Sequence, residues 1–87
     1  MKKKEEFLVR NIAGEYVMMP IGQTALKFNG LIMANSVSSF IWEHIEEVNS
    51  IEEMTNLICE NFEVDYNQAY NDIKEVINQM KKANWIE

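Results

Sequence analysis

GLIMANSVSSFIWEHI, residues Gly30–Ile45, changes its hydrophobic rhythm half-way along. Leu31-Ile32-Met33-Ala34 is apolar at consecutive positions. That is the pattern of a strand with both faces covered, or of one whose edge is left for another chain to pair with. From Ser36 onward the apolar residues Val37, Phe40, Ile41 and Ile45 recur at helical spacing, with Ser36 as the expected N-cap. A short strand therefore runs into a helix here, and the chain divides into a strand-rich first third and a helical remainder.

Upstream, Phe7–Ile12 and Glu15–Ile21 are rich in Val, Ile, Tyr and Phe, with the turn signal Ala13-Gly14 between them. The expectation is a hairpin. Pro20 has no amide hydrogen, so it belongs at an edge or at a strand end. The apolar stretch Ala25–Ala34 is broken by Asn29-Gly30, a dipeptide that readily takes positive φ. Leu31–Ala34 is then the third strand. Downstream, Ser50 followed by Glu53 reads as a capping box, and Ile51, Met54, Leu57, Ile58 and Phe62 share one helical face. Asp65 with Gln68 repeats the capping logic for a last helix whose core stripe is Ala69, Ile73, Val76 and Met80. Trp85-Ile86 is expected to fold back onto it. Three strands followed by three helices make an α+β domain.

Eighty-seven residues make one domain spanning 1–87, because typical domains run to about 100–150 residues and two cores do not fit. The 47% hydrophobic and 25% charged content is that of a soluble globule. The formal charge of −6 opposes contact with nucleic acid, whose phosphates require a positive face. Lys2, Lys3 and Lys4 form a local basic run, and the first six residues are expected to fray. No signal-peptide apolar run follows that cluster, and no stretch is long enough to cross a bilayer. With Cys59 as the sole cysteine there is no internal disulfide, and a reducing cytoplasmic setting fits.

The catalytic inventory is thin. His44 is the only histidine and stands beside Glu43, Glu46 and Glu47, which reads as an exposed helical histidine with acidic neighbours. A nucleophile needs an activating base and an electropositive setting, whereas Cys59 is followed by Glu60. No phosphate loop, metal-ligand set or catalytic triad is present, so neither enzymatic activity nor a cofactor is expected. On the last helix, Tyr70, Lys74, Ile77 and Lys81 form a line beside the core stripe at spacings of four, three and four. Such a line is either the wall of a groove for an apolar, partly acidic peptide or a widened core stripe with lysine stems at its rim.

Taken in order, several pieces of the chain resemble the PqqD-like family, also known as the RiPP recognition element. They are FLVRNIAGEYVMMPIG (Phe7–Gly22), Asn35-Ser36, Phe40-Ile41-Trp42-Glu43, Ser50-Ile51-Glu52-Glu53, Phe62-Glu63-Val64-Asp65 and the closing Trp85-Ile86-Glu87. The stretch Gln23–Gly30, with Lys27 and Phe28, departs from the family pattern by lengthening the path into Asn35. The resemblance implies a three-stranded antiparallel sheet packed on three helices in a winged-helix-like arrangement. It also implies a non-catalytic module that takes the leader of a ribosomally made precursor peptide as an added strand. The expected peptide-binding residues are Leu31, Ile32, Met33 and Ala34 on the strand, and Tyr70, Ile73, Lys74, Ile77 and Lys81 on the helix. The implied partners are that leader and a separate maturation enzyme, of radical SAM or another peptide-modifying type, with no nucleic acid or membrane. A homodimer through the same strand edge is a further use of it. The competing readings are a winged-helix transcription regulator, which the charge opposes, and a small enzyme built on His44.

Overall fold

The computed structural model describes residues 1–28 and 30–87, so the Asn29 half of the expected Asn29-Gly30 turn lies outside the described residues. Strand β1 (Phe7–Ile12) pairs antiparallel with β2 (Glu15–Pro20), and β2 pairs antiparallel with β3 (Ile32–Ala34), in the order β1-β2-β3. Ala13 and Gly14 both take positive φ, 52° and 84°, as a two-residue hairpin turn requires. Alternation then turns Phe7, Val9, Met18, Ile32 and Ala34 toward one face, where all of them join the core.

The helices α1 (Ser36–His44), α2 (Ile51–Asn61) and α3 (Tyr66–Lys82) cover that face. A short 3₁₀ turn, Ile45–Glu47, joins α1 to the approach of α2. Ile41, Trp42, Ile45, Met54, Ile58, Ile73, Ile77 and Ile86 are each at most 2% exposed and form the centre of the core. Burying side chains of this size contributes about 1.5–3 kcal/mol apiece before conformational entropy is subtracted. No helix among the described residues is long and apolar enough to cross a membrane.

Several boundaries differ from expectation. The N-cap of α1 is Asn35, not Ser36: its Oδ1 accepts from the Ser38 amide at 2.8 Å while Ser38 Oγ accepts from the Asn35 amide at 3.1 Å. The capping box thus sits one residue earlier and ties the end of β3 directly to the helix. At α2, Ser50 Oγ accepts from the Glu53 amide as expected, but the Glu53 carboxylate accepts from Asn49 rather than from Ser50. Strand β2 stops at Pro20, and β3 begins at Ile32. Between them, Gly22–Leu26 forms a 3₁₀ turn that sequence patterning does not show.

The basic terminus is docked, correcting the expectation that residues 1–6 fray. Lys3 bridges antiparallel to Ile86, the Lys4 amide donates to the Trp85 carbonyl at 2.7 Å, and the Glu87 amide donates to the Lys2 carbonyl at 2.9 Å. The Met1 nitrogen donates to the carbonyls of Ile45 and Val48, and Lys3 Nζ stands 4.9 Å from the centre of the Trp42 ring. Backbone groups at both ends of the chain thereby satisfy one another.

Candidate functional site

Beside β3 lies a cleft of about 290 Å³ between the sheet and α3. Its sheet side is Met18, Ile32, Met33 and Ala34; its helix side is Val76, Gln79, Met80 and Ala83; Ser38 and Trp85 close it. No charged side chain lines it. Because β3 is an edge strand, one row of its backbone N–H and C=O groups faces away from β2.

Trp85 owes its place to an aromatic cluster. Phe7 is at the centre, with ring centroids 4.7 Å from Trp85, 5.4 Å from Trp42 and 5.6 Å from Phe28. Trp42 Nε1 donates to the Phe7 carbonyl at 3.3 Å, fixing α1 against β1. Phe28 belongs to the departing stretch Gln23–Gly30, and its ring meets Trp85 edge-on at 6.4 Å. The extra residues thus buttress the cleft wall from behind. They are tied down by Thr24, which accepts from the Glu6 amide at 2.7 Å and donates to Glu5 at 3.0 Å.

The expected residues divide. Ile32, Met33 and Ala34 line the cleft, with Met33 63% exposed; Leu31 is exposed just ahead of β3 and does not line it. On α3 the expected flank falls on the other side of the core stripe. Ile73 and Ile77 are buried in the core at 1% and 0% exposure. Tyr70 faces α2: its hydroxyl donates to Glu52 Oε1 at 3.1 Å, and its ring stacks on Tyr66. Accepting that hydrogen bond, and then by its charge, Glu52 holds the Tyr70 phenol above its ordinary pKa. Lys74 and Lys81 are exposed and share the Tyr70 flank, away from the cleft. The residues that sequence reasoning missed are Val76, Gln79 and Ala83, spaced three and four apart on the opposite flank. Their spacing is as regular as that of the expected line, so only the position of β3 distinguishes them.

A family profile described as coenzyme PQQ synthesis protein D (PqqD) matches residues 15–86. The chain belongs to the PqqD family. The match takes in β2, β3 and all three helices, hence every residue that lines the cleft. Curated proteins gave no match. Among solved structures, TbiB1 in complex with the TbiA(beta) leader peptide is similar in fold to this PqqD-family chain. The two are 22% identical with a TM-score of 0.67, over 100% of this chain and 95% of TbiB1.

Other local chemistry stands apart from the cleft. His44 Nδ1 lies 2.6 Å from Glu47 Oε2, and its ring packs on Phe40. Cys59 is half-buried on α2. Among the described residues, no three His, Cys, Asp or Glu side chains are grouped to hold a metal.

Proposed function

We propose that this PqqD-family chain captures the leader region of a ribosomally synthesised precursor peptide by strand addition and presents it to a separate modifying enzyme. The observation that carries the reading is an uncharged apolar cleft running along the free edge of β3. An extended peptide placed there uses its backbone for the edge groups of Ile32–Ala34 and inserts alternate side chains toward Val76, Met80 and Trp85. The leader peptide bound by the fold neighbour TbiB1 is a ligand of the same kind. In this role the protein is a binding module, and the bond-making chemistry belongs to the partner, a radical SAM or other peptide-modifying enzyme. The net charge of −6 favours a peptide over a nucleic acid as guest.

Three residues of edge strand admit about two to four backbone hydrogen bonds at a net ~1 kcal/mol each, and two apolar anchors add ~1.5–3 kcal/mol each. Ordering a flexible leader offsets part of this, leaving roughly −4 to −8 kcal/mol, a dissociation constant of about 1 µM to 1 mM. Titration of the isotope-labelled protein with synthetic leaders of precursors encoded beside its gene tests the assignment. Amide shifts are expected at residues 32–34 and 76–83 and at the Trp85 indole, with Tyr70 and Lys74 unmoved. If no such leader perturbs the cleft, the function falls.

A further inference from the structure

The flank of α3 that walls the cleft continues past the apolar lining at both ends. A helix advances about 100° per residue, so Gln68, Asp72, Val76, Gln79 and Ala83 fall on one flank. Val76, Gln79 and Ala83 line the cleft. Gln68 and Asp72 line a second hollow of about 270 Å³, nearer the start of the helix. Glu63 and Asp65, from the connection between α2 and α3, share that hollow, which carries three carboxylates and no cation.

The other end is basic. Lys82 is exposed three residues after Gln79, at the solvent rim of the same flank. Lys4 Nζ donates to Asn84 Oδ1 at 2.6 Å, between the cleft residues Ala83 and Trp85, and extends the positive end. Glu75, exposed four residues before Gln79, belongs to the acidic half of the rim. Among the described residues Asp72, Glu75 and Lys82 form no salt bridge. Asn78 and Gln79 occupy the positions one turn after Glu75 and one turn before Lys82, so the helix does not neutralise either charge. The helix macrodipole accounts for a lysine in the last turn, but not for Asp72 and Glu75, which lie beyond the first.

We propose that the cleft selects an extended guest whose apolar segment is bracketed by charges of opposite sign. A cationic side chain sits at Glu63, Asp65 and Asp72, and an anionic one at Lys82. This rests on the leader-binding reading and adds to it the charge order of the guest. Gln68 and Asp72 precede Lys82 by roughly 21 and 15 Å of helix. A strand spans about 20 Å in six residues. Alternate side chains face the cleft, so a cation and an anion six positions apart leave two apolar anchors between them on the same face. A guest with like charges at those positions meets repulsion at one end.

Three synthetic peptides with the same apolar core and capped termini test the proposal by calorimetric titration of the full chain. One carries Lys and Glu six positions apart, one Lys at both positions, and one Glu at both. At about 50 mM salt the mixed peptide is expected to bind roughly three- to tenfold tighter than either of the others. The net charge of −6 by itself favours the dilysine peptide, so a preference for the mixed one reports the rim rather than the whole-molecule field. Lys82→Glu is expected to move the preference to the dilysine peptide, and Asp72→Lys with Glu75→Lys to move it toward the diglutamate peptide. Both shifts are expected to fade in about 1 M salt. These comparisons hold whichever way the guest strand runs. Equal affinities for the three peptides, or a ranking that the charge reversals leave unaltered, overturn the charge selection and leave the cleft as a binding site. So does failure of all three to bind where a leader encoded beside the gene binds; failure of that leader too takes the leader-binding reading down with it.

Discussion

Glu5 is the one buried carboxylate among the chain's fourteen acidic residues, at 9% exposure. Lys27 Nζ lies 3.0 and 3.2 Å from its two oxygens, and Thr24 Oγ1 donates to it at 3.0 Å. The Lys27 hydrogen bond is the largest influence and holds the carboxyl below its ordinary pKa against the opposing effect of burial. Because the folded value is depressed, the stabilisation is fully present above the unfolded value of 4.5 and is lost as pH falls through the folded one. Thermal denaturation of the wild type and Glu5→Gln at pH 7, 5, 4 and 3 is expected to show a gap in Tm that closes below pH 4.5. A gap of constant size would mean that the pair contributes nothing through ionisation. In sequence Glu5 is one acid beside a lysine run, and nothing local shows that a residue 22 positions away covers it. The same run reads as a loose end for the same reason, because its partners Ile45, Val48, Trp85 and Ile86 are remote in the chain.

At the scale of the elements, the rotation of α3 about its axis decides which side chains line the cleft. A helix turns about 100° per residue, so its buried stripe Ala69-Ile73-Ile77-Met80 has two flanks. One flank, with Tyr70, meets α2; the other, with Val76, Gln79 and Ala83, meets the cleft beside β3. Hydrophobic period finds the length of the helix and three of the stripe's four residues, but it puts Val76 where the buried Ile77 stands; turn residues find the β1–β2 hairpin at Ala13-Gly14. Neither says which flank adjoins the third strand, since that depends on how α3 docks. On the strand side, Leu31–Ala34 is apolar without alternation just before a cap, and all of it but Leu31 lines the cleft. Mutation separates the flanks. Val76→Glu places a charge in an apolar wall and is expected to weaken leader binding roughly 10- to 100-fold, the loss of one apolar anchor. Lys74→Ala and Lys81→Ala are expected to leave affinity unchanged within twofold. Calorimetric titration with the same leader decides it: a large loss in the lysine variants beside an unaffected Val76→Glu would move the site to the α2 side.

Over the whole molecule, the cleft depends on contacts that close the chain on itself. Trp85 is a cleft wall, yet it lies beyond the end of α3, where packing alone does not fix its backbone. Phe7 and Phe28 hold its ring from the sheet side, and the Lys4 amide holds its carbonyl at 2.7 Å. The terminal segment thus supports a cleft it does not line. Lys4→Pro removes that donor, and with it the Lys4 Nζ donation to Asn84 Oδ1 at 2.6 Å, while keeping the extended backbone that the Lys3–Ile86 bridge uses. The loss of one backbone and one exposed side-chain hydrogen bond is about 1–2 kcal/mol, or roughly 4–16 °C in Tm for a domain of this size. Leader affinity is expected to fall by about three- to tenfold in the same variant, because a Trp85 freed at its carbonyl presents a less ordered wall to the guest. Differential scanning calorimetry and calorimetric titration read the two effects separately. A lowered Tm with unaltered leader affinity would uncouple the terminal clamp from the cleft and leave it a purely structural tie.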